Sequence, residues 1–378
     1  MPWREKRVVK LREEFVLRAL EPDANLSALC REYEISRKTG YKWLQRFREG
    51  GVEALTDLSR RPHRSPLRAS GETVLRVLEL RQAHPRWGPK KLHAVLGRTM
   101  AADDLPSIRT IARILERAGM VRKRGRRRET TEVGRPDLPD VVRCNQLWTA
   151  DFKGWWRTAD GSRAEPLTIR DAHSRFVLAA TLMETTKADA VRAEFERVFE
   201  QYGLPDSILV DNGSPFASTR SPGGLTTLSA WWVSLGIRLL RNRPGHPQDN
   251  GGHERMHLDM RFDVEDVAAD DLEAQRIALL RWRAQFNYIR PHEALEMQVP
   301  ADVYKASQRR LTGPRRCWYP RDCEVRRVNG KGYIKFRGAA RYVGQALVGQ
   351  HIGLRQAGED AVEMLFYEME LGVLELAG

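Results

Sequence analysis

Three carboxylates stand where carboxylates are costly. Asp151 sits inside an apolar run, "LWTADF", between Ala150 and Phe152. Asp211 follows Ile208, Leu209 and Val210 in "SILVDNGSPF". Glu254 lies in the first turns of a helix-forming stretch that opens "HPQDNGGHERMH". A carboxylate among apolar strand residues is expensive unless it is paired or binds a cation. If the strands carrying Asp151 and Asp211 are neighbours, both side chains emerge at one sheet edge, and Glu254 must be delivered over that edge by its helix. Mutual repulsion in such a cluster raises its pKa values, and a divalent metal reverses the effect. Mg2+ suits an oxygen-only donor set because it keeps several waters and shares substrate phosphate. Two ions about 4 Å apart can activate an attacking oxygen and stabilise the leaving one in an in-line phosphoryl displacement. Each acid also has a plainer reading. Asp211 before Asn212-Gly213 can be a turn former, and Glu254 can answer the helix dipole. Asp151 is the hardest to explain in that way.

The elements that must position these acids begin near residue 146, where strands and helices alternate. "QLWTADFKGWW" is rich in strand formers, and "EPLTIRDAHSRFVLAATLM" reads as two strands around a polar turn. "KADAVRAEFERVFEQYG" is an amphipathic helix, "SILVDNGSPF" a buried strand, "LSAWWVSLG" a helix, "IRLLRN" a strand and "NGGHERMHLDMRFDV" a helix. Three strands, then helix, strand, helix, strand, helix describe a mixed-sheet α/β domain. "DLEAQRIALLRWRAQFNYIRPHEALEMQVPADVY" closes it with further helix. From about 315 the short strands, the Asn329-Gly330 turn and many glycines predict a small β-barrel.

Charge is distributed unevenly. The 378 residues carry a net charge of +14. Residues 1–130 hold 31 Lys/Arg against 16 Asp/Glu, whereas the rest hold 33 against 34. The excess therefore lies wholly in the N-terminal third, as in a polyanion-binding segment joined to a neutral body. Within it, "NLSALCREYEISRKTGYKWLQRFR" reads as two helices around a tight turn. Leu26, Leu29 and Tyr33 supply one apolar face, Ser36 caps the second helix, and Tyr41, Leu44 and Phe47 recur at helical spacing. Arg37, Lys38, Thr39 and Lys42 then point elsewhere, as the reading helix of a helix-turn-helix requires. "SRRPHRSP" is a Pro-rich basic linker. Beyond it, "RWGPKKLHAVL" presents Lys90 and Lys91, and a Ser107-capped helix packs Ile108, Ile111, Ala112 and Leu115 while leaving Arg109 and Arg113 for DNA. "VRKRGRRRE" places Arg124, Arg126, Arg127 and Arg128 in a run too dense to pack, suited to tracking phosphates.

The core motifs resemble one family. "LWTADF", "LVDNGSPF" and "HPQDNGGHERMH", followed by "FNYIRPHEALEMQVPADVY", are similar to the core of bacterial insertion-sequence DDE transposases with a retroviral-integrase-like catalytic domain. "HPRWGPKKLHAVL" is similar to the second helical module of that family, and the likeness covers about residues 20–305. It implies a ribonuclease-H-like core with Asp151, Asp211 and Glu254 as catalytic metal ligands, Mg2+ at two ions per site, and Mn2+ as a substitute. It also implies double-stranded DNA as partner, at both element ends and target, and at least a homodimer on DNA. Two departures stand out. The spacing from Asp211 to Glu254 is longer than usual in the family, with "STRSPGGLTT" as an added loop, and Asp249 stands where the family more often has threonine. A helix holds a ligand more rigidly than a loop, which favours Glu254 over Asp249 as the third acid.

The expected organisation is multidomain. A first helix-turn-helix module occupies 1–58, a linker 59–66, a second all-α module 67–120, a basic linker 121–144, the α/β catalytic core 145–306 and the small barrel 315–378. His253, His257 and Arg255 are candidates either for phosphate contact or for a solvated helix face. His292 is expected to be a structural hydrogen-bonder, Asp171 part of a hairpin turn, and Trp155-Trp156 and Trp231-Trp232 core or subunit contacts. No apolar run approaches the roughly 18 residues of a membrane helix, and the start of the chain lacks an apolar signal region, so a cytoplasmic, nucleoid-associated protein is expected. Cys30, Cys144, Cys317 and Cys323 form no C-x-x-C pair, so a zinc or disulfide framework is not expected. Two rival functions stay open at this point: a non-catalytic DNA-binding repressor whose α/β domain only dimerises, and a nuclease of the same fold that cuts without joining.

Overall fold

The computed structural model describes residues 8–57, 69–121, 140–243 and 246–376. The chain divides into two compact units, Met1–Arg68 and Ala69–Gly378. The basic run bearing Arg124, Arg126, Arg127 and Arg128 lies outside the described residues.

The first unit is three helices, α1 (Val8–Ala19), α2 (Leu26–Glu32) and α3 (Arg37–Gly50), closed by a 3-10 turn at Val52–Leu55. Asn25 caps α2 by accepting from the Ser27 and Ala28 amides, and Ser36 caps α3 by accepting from Thr39. The buried face of α3 is the expected one at Leu44 and Phe47 but not at Tyr41. Trp43 and Leu44 are buried with Phe15, Val16, Leu29, Cys30 and Leu55, whereas Tyr41 is 62% exposed. Gly40 explains the rotation: a Cβ there would stand 2.7 Å from Cys30 Sγ and 3.0 Å from Phe15 Cζ. The helix is pressed against its neighbours at the glycine, so residues three and four positions later turn inward with it.

The second unit opens with α4 (Gly71–Ala83), α5 (Pro89–Leu96) and α6 (Ile108–Arg117). Their core is Val77, Trp87, Leu92, Leu96, Ile111, Ile114 and Leu115. Ser107 caps α6 as expected, but Ile108, in its first turn, is 44% exposed, and Ile114 takes the core position instead.

Next come β1 (Leu147–Phe152), a small hairpin of β2 (Trp156–Arg157) and β3 (Arg163–Ala164), β4 (Pro166–Asp171), β5 (Val177–Leu182), α7 (Ala188–Tyr202), β6 (Ser207–Val210), α8 (Thr227–Ser234) and β7 (Arg238–Arg241). The main sheet runs β5-β4-β1-β6-β7, antiparallel from β5 to β1 and parallel from β1 to β7. One face buries Trp148, Ile169, Ile208, Phe195, Phe199, Trp231 and Trp232 against α7 and α8. The other packs Val177, Ala180 and Leu182 against Met256, Met260, Leu279, Trp282 and Phe286 of α9 (Gly251–Met260) and α10 (Leu272–Tyr288). The core is thus three-layered, with helices on both sides of the sheet.

A short α11 (Pro300–Val303) leads to six strands: β8 (Cys323–Arg327), β9 (Tyr333–Phe336), β10 (Ala339–Tyr342), β11 (His351–Gln356), β12 (Ala361–Phe366) and β13 (Met369–Glu375). They do not close the expected barrel. They form an antiparallel sheet in the order β13-β12-β11-β8 and a separate β9–β10 ribbon. Closure needs backbone ladders along both seams. Here arginine side chains span them, Arg326 Nε donating to the Lys335 carbonyl at 3.2 Å and Arg341 donating to the Leu376 carbonyl at 2.6 Å. The region is not a separate body: Val328, Phe336, Ile352 and Phe366 share a core with Leu225, Ala230 and Val233. Pro222–Gly224, within the added loop, reaches the last strand, where a Cβ on Gly223 would stand 2.9 Å from Leu371. Among the described residues no helix is long and apolar enough to cross a membrane.

Candidate active site

The register of the sheet brings the first two acids together. β1 and β6 run parallel with Leu147 beside Ser207, Trp148 beside Ile208 and Thr149 beside Leu209. Continuing that register two residues sets Asp151 beside Asp211, just beyond the end of β6. Asp211 is exposed and holds its turn by accepting from the Gly213 amide at 3.2 Å. Glu254, also exposed, lies in the first turn of α9. Burial, the charge of Asp211 and the charge of Glu254 together push the Asp151 carboxyl up to about 7. The three acids therefore share one electrostatic environment.

A polar stripe in otherwise apolar strands fixes α9 over this edge. Side chains two apart in a strand share a face, so Thr149 and Asp151 line up on β1, with Arg170 and Thr168 as their cross-strand partners on β4. Arg170, buried, donates to the Gly252 carbonyl at the start of α9. A Cβ on Gly252 would stand 2.6 Å from Arg170 Nη2, so glycine permits the approach.

Two histidines complete the fixation, and their tautomers follow from counting protons. Thr168 Oγ1 lies 2.9 Å from the Asp151 carbonyl oxygen, 2.7 Å from His253 Nε2 and 2.8 Å from His257 Nε2. A hydroxyl has one hydrogen and two lone pairs. It gives the hydrogen to the carbonyl, which can only accept, and receives Nε2–H from both imidazoles. His253 Nδ1 then accepts from Thr149 Oγ1 at 2.7 Å. His257 Nδ1 is left with a lone pair 3.9 Å from Asp151 Oδ2. Both rings are held neutral: burial, His257 and Arg170 lower His253 well below its ordinary value, and burial, Lys153 and Arg170 lower His257 to about 3. Asp151, His253 and His257 also lie close enough to suggest a metal trio, with ligand atoms within 4.8 Å of one another. Both nitrogens of His253 are already engaged, so it is not an open ligand. Neither histidine is a solvated helix residue, and His253, 0% exposed, does not reach phosphate. Arg255 is exposed.

Other candidates fall into structural places. Asp249 is 4% exposed and bound to Arg243 through its side chain, at 2.9 and 3.0 Å, and its amide, at 3.1 Å. Asp171 accepts from the Asn145 amide and from the amide and hydroxyl of Ser174, closing the β4–β5 turn. His292 packs edge-on against Phe286, and its hydrogen bonding is main-chain, donating to Gln298 and accepting from Leu295 and Met297, whereas among the described residues its Nε2 has no partner. Trp231, Trp232 and Trp156 are buried, whereas Trp155 is exposed.

Of the expected DNA contacts, Arg37, Lys38 and Lys42 are exposed on α3, and Arg109 and Arg113 on α6. Thr39 is tied to the Ser36 cap. Lys90 forms an ion pair with Glu293, and Lys91 is pushed down to about 8, first by burial and then by Arg290. Tyr41 was missed as a solvent-facing residue of α3; its lone aromatic ring among Arg37, Lys38 and Lys42 is the available signal. Thr149, Thr168 and Arg170 were also missed. Their signal is period-two polarity inside apolar strands.

The resemblance to known proteins follows the same division. Residues 11–63 match a helix-turn-helix domain and 39–115 a homeodomain-like domain. Residues 142–247 and 235–300 match integrase core domains, and 323–378 the C-terminal domain of IS481 family transposases. The chain is 24% identical over 238 residues to the insertion element IS407 uncharacterized 31.7 kDa protein of Burkholderia multivorans, covering 63% of this chain and 81% of that one. It is 27% identical over 240 residues to the insertion element IS476 uncharacterized 39.2 kDa protein of Xanthomonas euvesicatoria, covering 62% of this chain and 65% of that one. Among solved structures it is similar to the catalytic core domain of BIV integrase, at 21% identity and a TM-score of 0.33, over 42% of this chain and 93% of that one. A simian T-cell lymphotropic virus intasome in complex with PP2A regulatory subunit B56 gamma aligns at 15% identity and a TM-score of 0.36, over 79% of this chain and 99% of that one.

A mixed sheet carrying acids at the ends of two adjacent parallel strands, preceded by DNA-binding helix-turn-helix modules, defines a protein of the integrase-core class. Within that class the chain belongs to the insertion-sequence DDE transposases.

Proposed function

We propose that this transposase binds the terminal repeats of an insertion sequence, frees a 3′-OH at each element end and joins it to target DNA. The observation that carries the reading is the strand register that sets Asp151 beside Asp211, where burial first, and then the charges of Asp211 and Glu254, push the Asp151 carboxyl up to about 7. A partly buried carboxylate set beside two others fits a hard divalent cation, and among the described residues His257 Nδ1 offers a lone pair next to Asp151. Asp151, Asp211 and Glu254 would hold Mg2+, or Mn2+ in its place, at two ions per site. The metal would supply Lewis-acid polarisation of phosphodiester oxygens.

The protein's part is positional. The strand register fixes Asp151 beside Asp211, while Arg170, His253 and Thr168 hold α9 so that Glu254 stays over the edge. In the first step water attacks phosphorus and the bond to the 3′ oxygen breaks, leaving a 3′-OH. In the second that hydroxyl attacks a target phosphodiester and displaces a target 3′-OH. The acids serve as ligands rather than nucleophiles, so no covalent protein–DNA link is required. Helical modules at 1–58 and 67–120 would read the element ends through Arg37, Lys38, Lys42, Arg109 and Arg113. The core at 145–306 would do the chemistry, and the C-terminal strands would add target contacts. Joining two ends calls for at least a dimer on DNA, in a cytoplasmic, nucleoid-associated protein.

The test is a strand-transfer assay with the element's own end, a target plasmid and Mg2+, using Asp151→Asn as control. Joined products that vanish in the variant are expected. Specific binding with neither cutting nor joining under Mg2+ or Mn2+ would favour a repressor, and cutting without joining a nuclease.

A further inference from the structure

Gly154, at φ +86°, turns the chain just after β1 and introduces two tryptophans with opposite fates. Trp156 opens β2, is 7% exposed and donates Nε1–H to Gln275 Oε1 at 3.3 Å. Successive residues of extended chain face opposite ways, so anchoring Trp156 sends Trp155 outward, where it is 52% exposed.

Two guanidiniums lie over its ring. The Arg157 and Arg163 guanidiniums lie 5.7 and 5.1 Å from the Trp155 ring. The two arginines are direct cross-strand partners in the β2–β3 ladder, an arrangement in which like charges repel. Arg163 has Glu165 at 2.8 Å, whereas among the described residues Arg157 has no carboxylate partner and donates to the Gly161 carbonyl at 2.6 Å. An anion between them would relieve the repulsion. The hairpin is also held firmly: Ala159 and Asp160 donate to the Ala269 and Asp270 carbonyls at 3.0 and 2.9 Å. It is a rigid platform rather than a loose loop.

We propose that Trp155, Arg157 and Arg163 form a binding site for an unpaired nucleobase of the DNA strand processed at Asp151. The base stacks on Trp155 and its phosphate lies between the guanidiniums. The inference rests on the reading of the acids as a DNA-joining site. The chemistry selects an unpaired base because duplex stacking hides the faces that an aromatic ring can cover. Distance agrees: at about 3.5 Å per extended residue Trp155 lies within roughly 14 Å of Asp151, a few nucleotide steps of about 3.4 Å.

The experiment compares a blunt DNA duplex with the same duplex bearing a short unpaired tail that contains 2-aminopurine. Binding of the full chain is read by anisotropy and stacking by 2-aminopurine quenching. The tailed duplex should bind about tenfold more tightly. Trp155→Ala should remove that preference and the quenching while leaving blunt-duplex affinity intact, and Trp155→Phe should keep most of both. Arg157→Gln should lower the salt dependence of tail binding by about one phosphate contact. An unchanged preference in Trp155→Ala, or none in the parent chain, overturns this inference. If cleavage dependent on Asp151 persists in that case, the function proposed above stands without it; failure to bind either DNA would sink both.

Discussion

Thr168 stands across the ladder from Asp151 and donates its hydroxyl hydrogen to the Asp151 main-chain carbonyl at 2.9 Å. The same oxygen receives the Nε2 hydrogens of His253 and His257. One hydroxyl thereby ties the strand that carries one acid to the helix that carries another. Thr168→Val keeps the shape and removes the acceptor, leaving two buried imidazole N–H groups unpaired. We expect a loss of about 2–4 kcal/mol in urea unfolding, a larger fall in metal-dependent cleavage, and recovery of both in Thr168→Ser. A Thr168→Val protein as stable as the parent would refute the tautomer assignment.

Gly252→Ala tests how tightly α9 is seated. The added Cβ meets Arg170 Nη2, and Arg170, being buried and bonded to the Gly252 carbonyl, has little room to retreat. Overpacking of this kind costs about 1–3 kcal/mol. Because Glu254 follows two residues later, cleavage should fall by at least tenfold, about 1.4 kcal/mol in the barrier. Full activity in a folded Gly252→Ala protein would show that Glu254 does not depend on this seat.

Metal response separates repulsion from packing. Asp151→Asn removes a charge that burial, Asp211 and Glu254 all oppose, so without metal the variant should be more stable at pH 8 by about 1–2 kcal/mol. Mg2+ should raise the parent's Tm and leave that of the variant nearly unchanged, as thermal scans with and without the ion will show. An equal Mg2+ shift in both proteins would remove Asp151 from the ligand set.

Acid should weaken the fold. His257 and His292 are each lowered to about 3 from 6.5, chiefly by burial, and His253 is lowered well below 6.5. The unfolded chain therefore takes up these protons first, and their contribution to stability is lost as pH falls below about 6.5 toward 3. Asp151, raised to about 7 from 3.8, acts in the opposite sense, gaining stability as pH falls from about 7 to 3.8. His84 is lowered as well and Asp263 raised, each chiefly by burial, so four imidazoles stand against two carboxyls, each group limited to about 1.4 kcal/mol per pH unit. The urea midpoint should drop between pH 6.5 and 5, less steeply in His257→Gln; a midpoint that rises would contradict the assignment.

Much of this arrangement is legible in the sequence because it is local. A charge inside an apolar strand, a serine before a helix and alternating polarity each act within a few residues, so Asp151, the Ser36 and Ser107 caps and the order of strands and helices can be read directly. Features set by contacts between distant segments cannot. The inward face of α3 is decided by Gly40 against Cys30 and Phe15, which is why Trp43 rather than Tyr41 is buried. His253 and His257 look like solvated helix residues until Thr149 and Thr168 arrive from strands about a hundred residues earlier. Strand composition likewise predicts β-structure after 315 but not whether its edges pair, and here they do not close.

The shared core of Leu225, Ala230 and Val233 with the C-terminal strands bears on how this protein can be divided. A fragment ending near 315 would keep Asp151, Asp211 and Glu254 yet strip the apolar outer surface of α8 and leave Pro222–Gly224 without its support. Such an uncovered patch favours self-association. Preparations cut to the catalytic core alone should therefore precipitate or form aggregates, and the last sixty or so residues act as a permanent wall of the enzyme rather than a detachable tool.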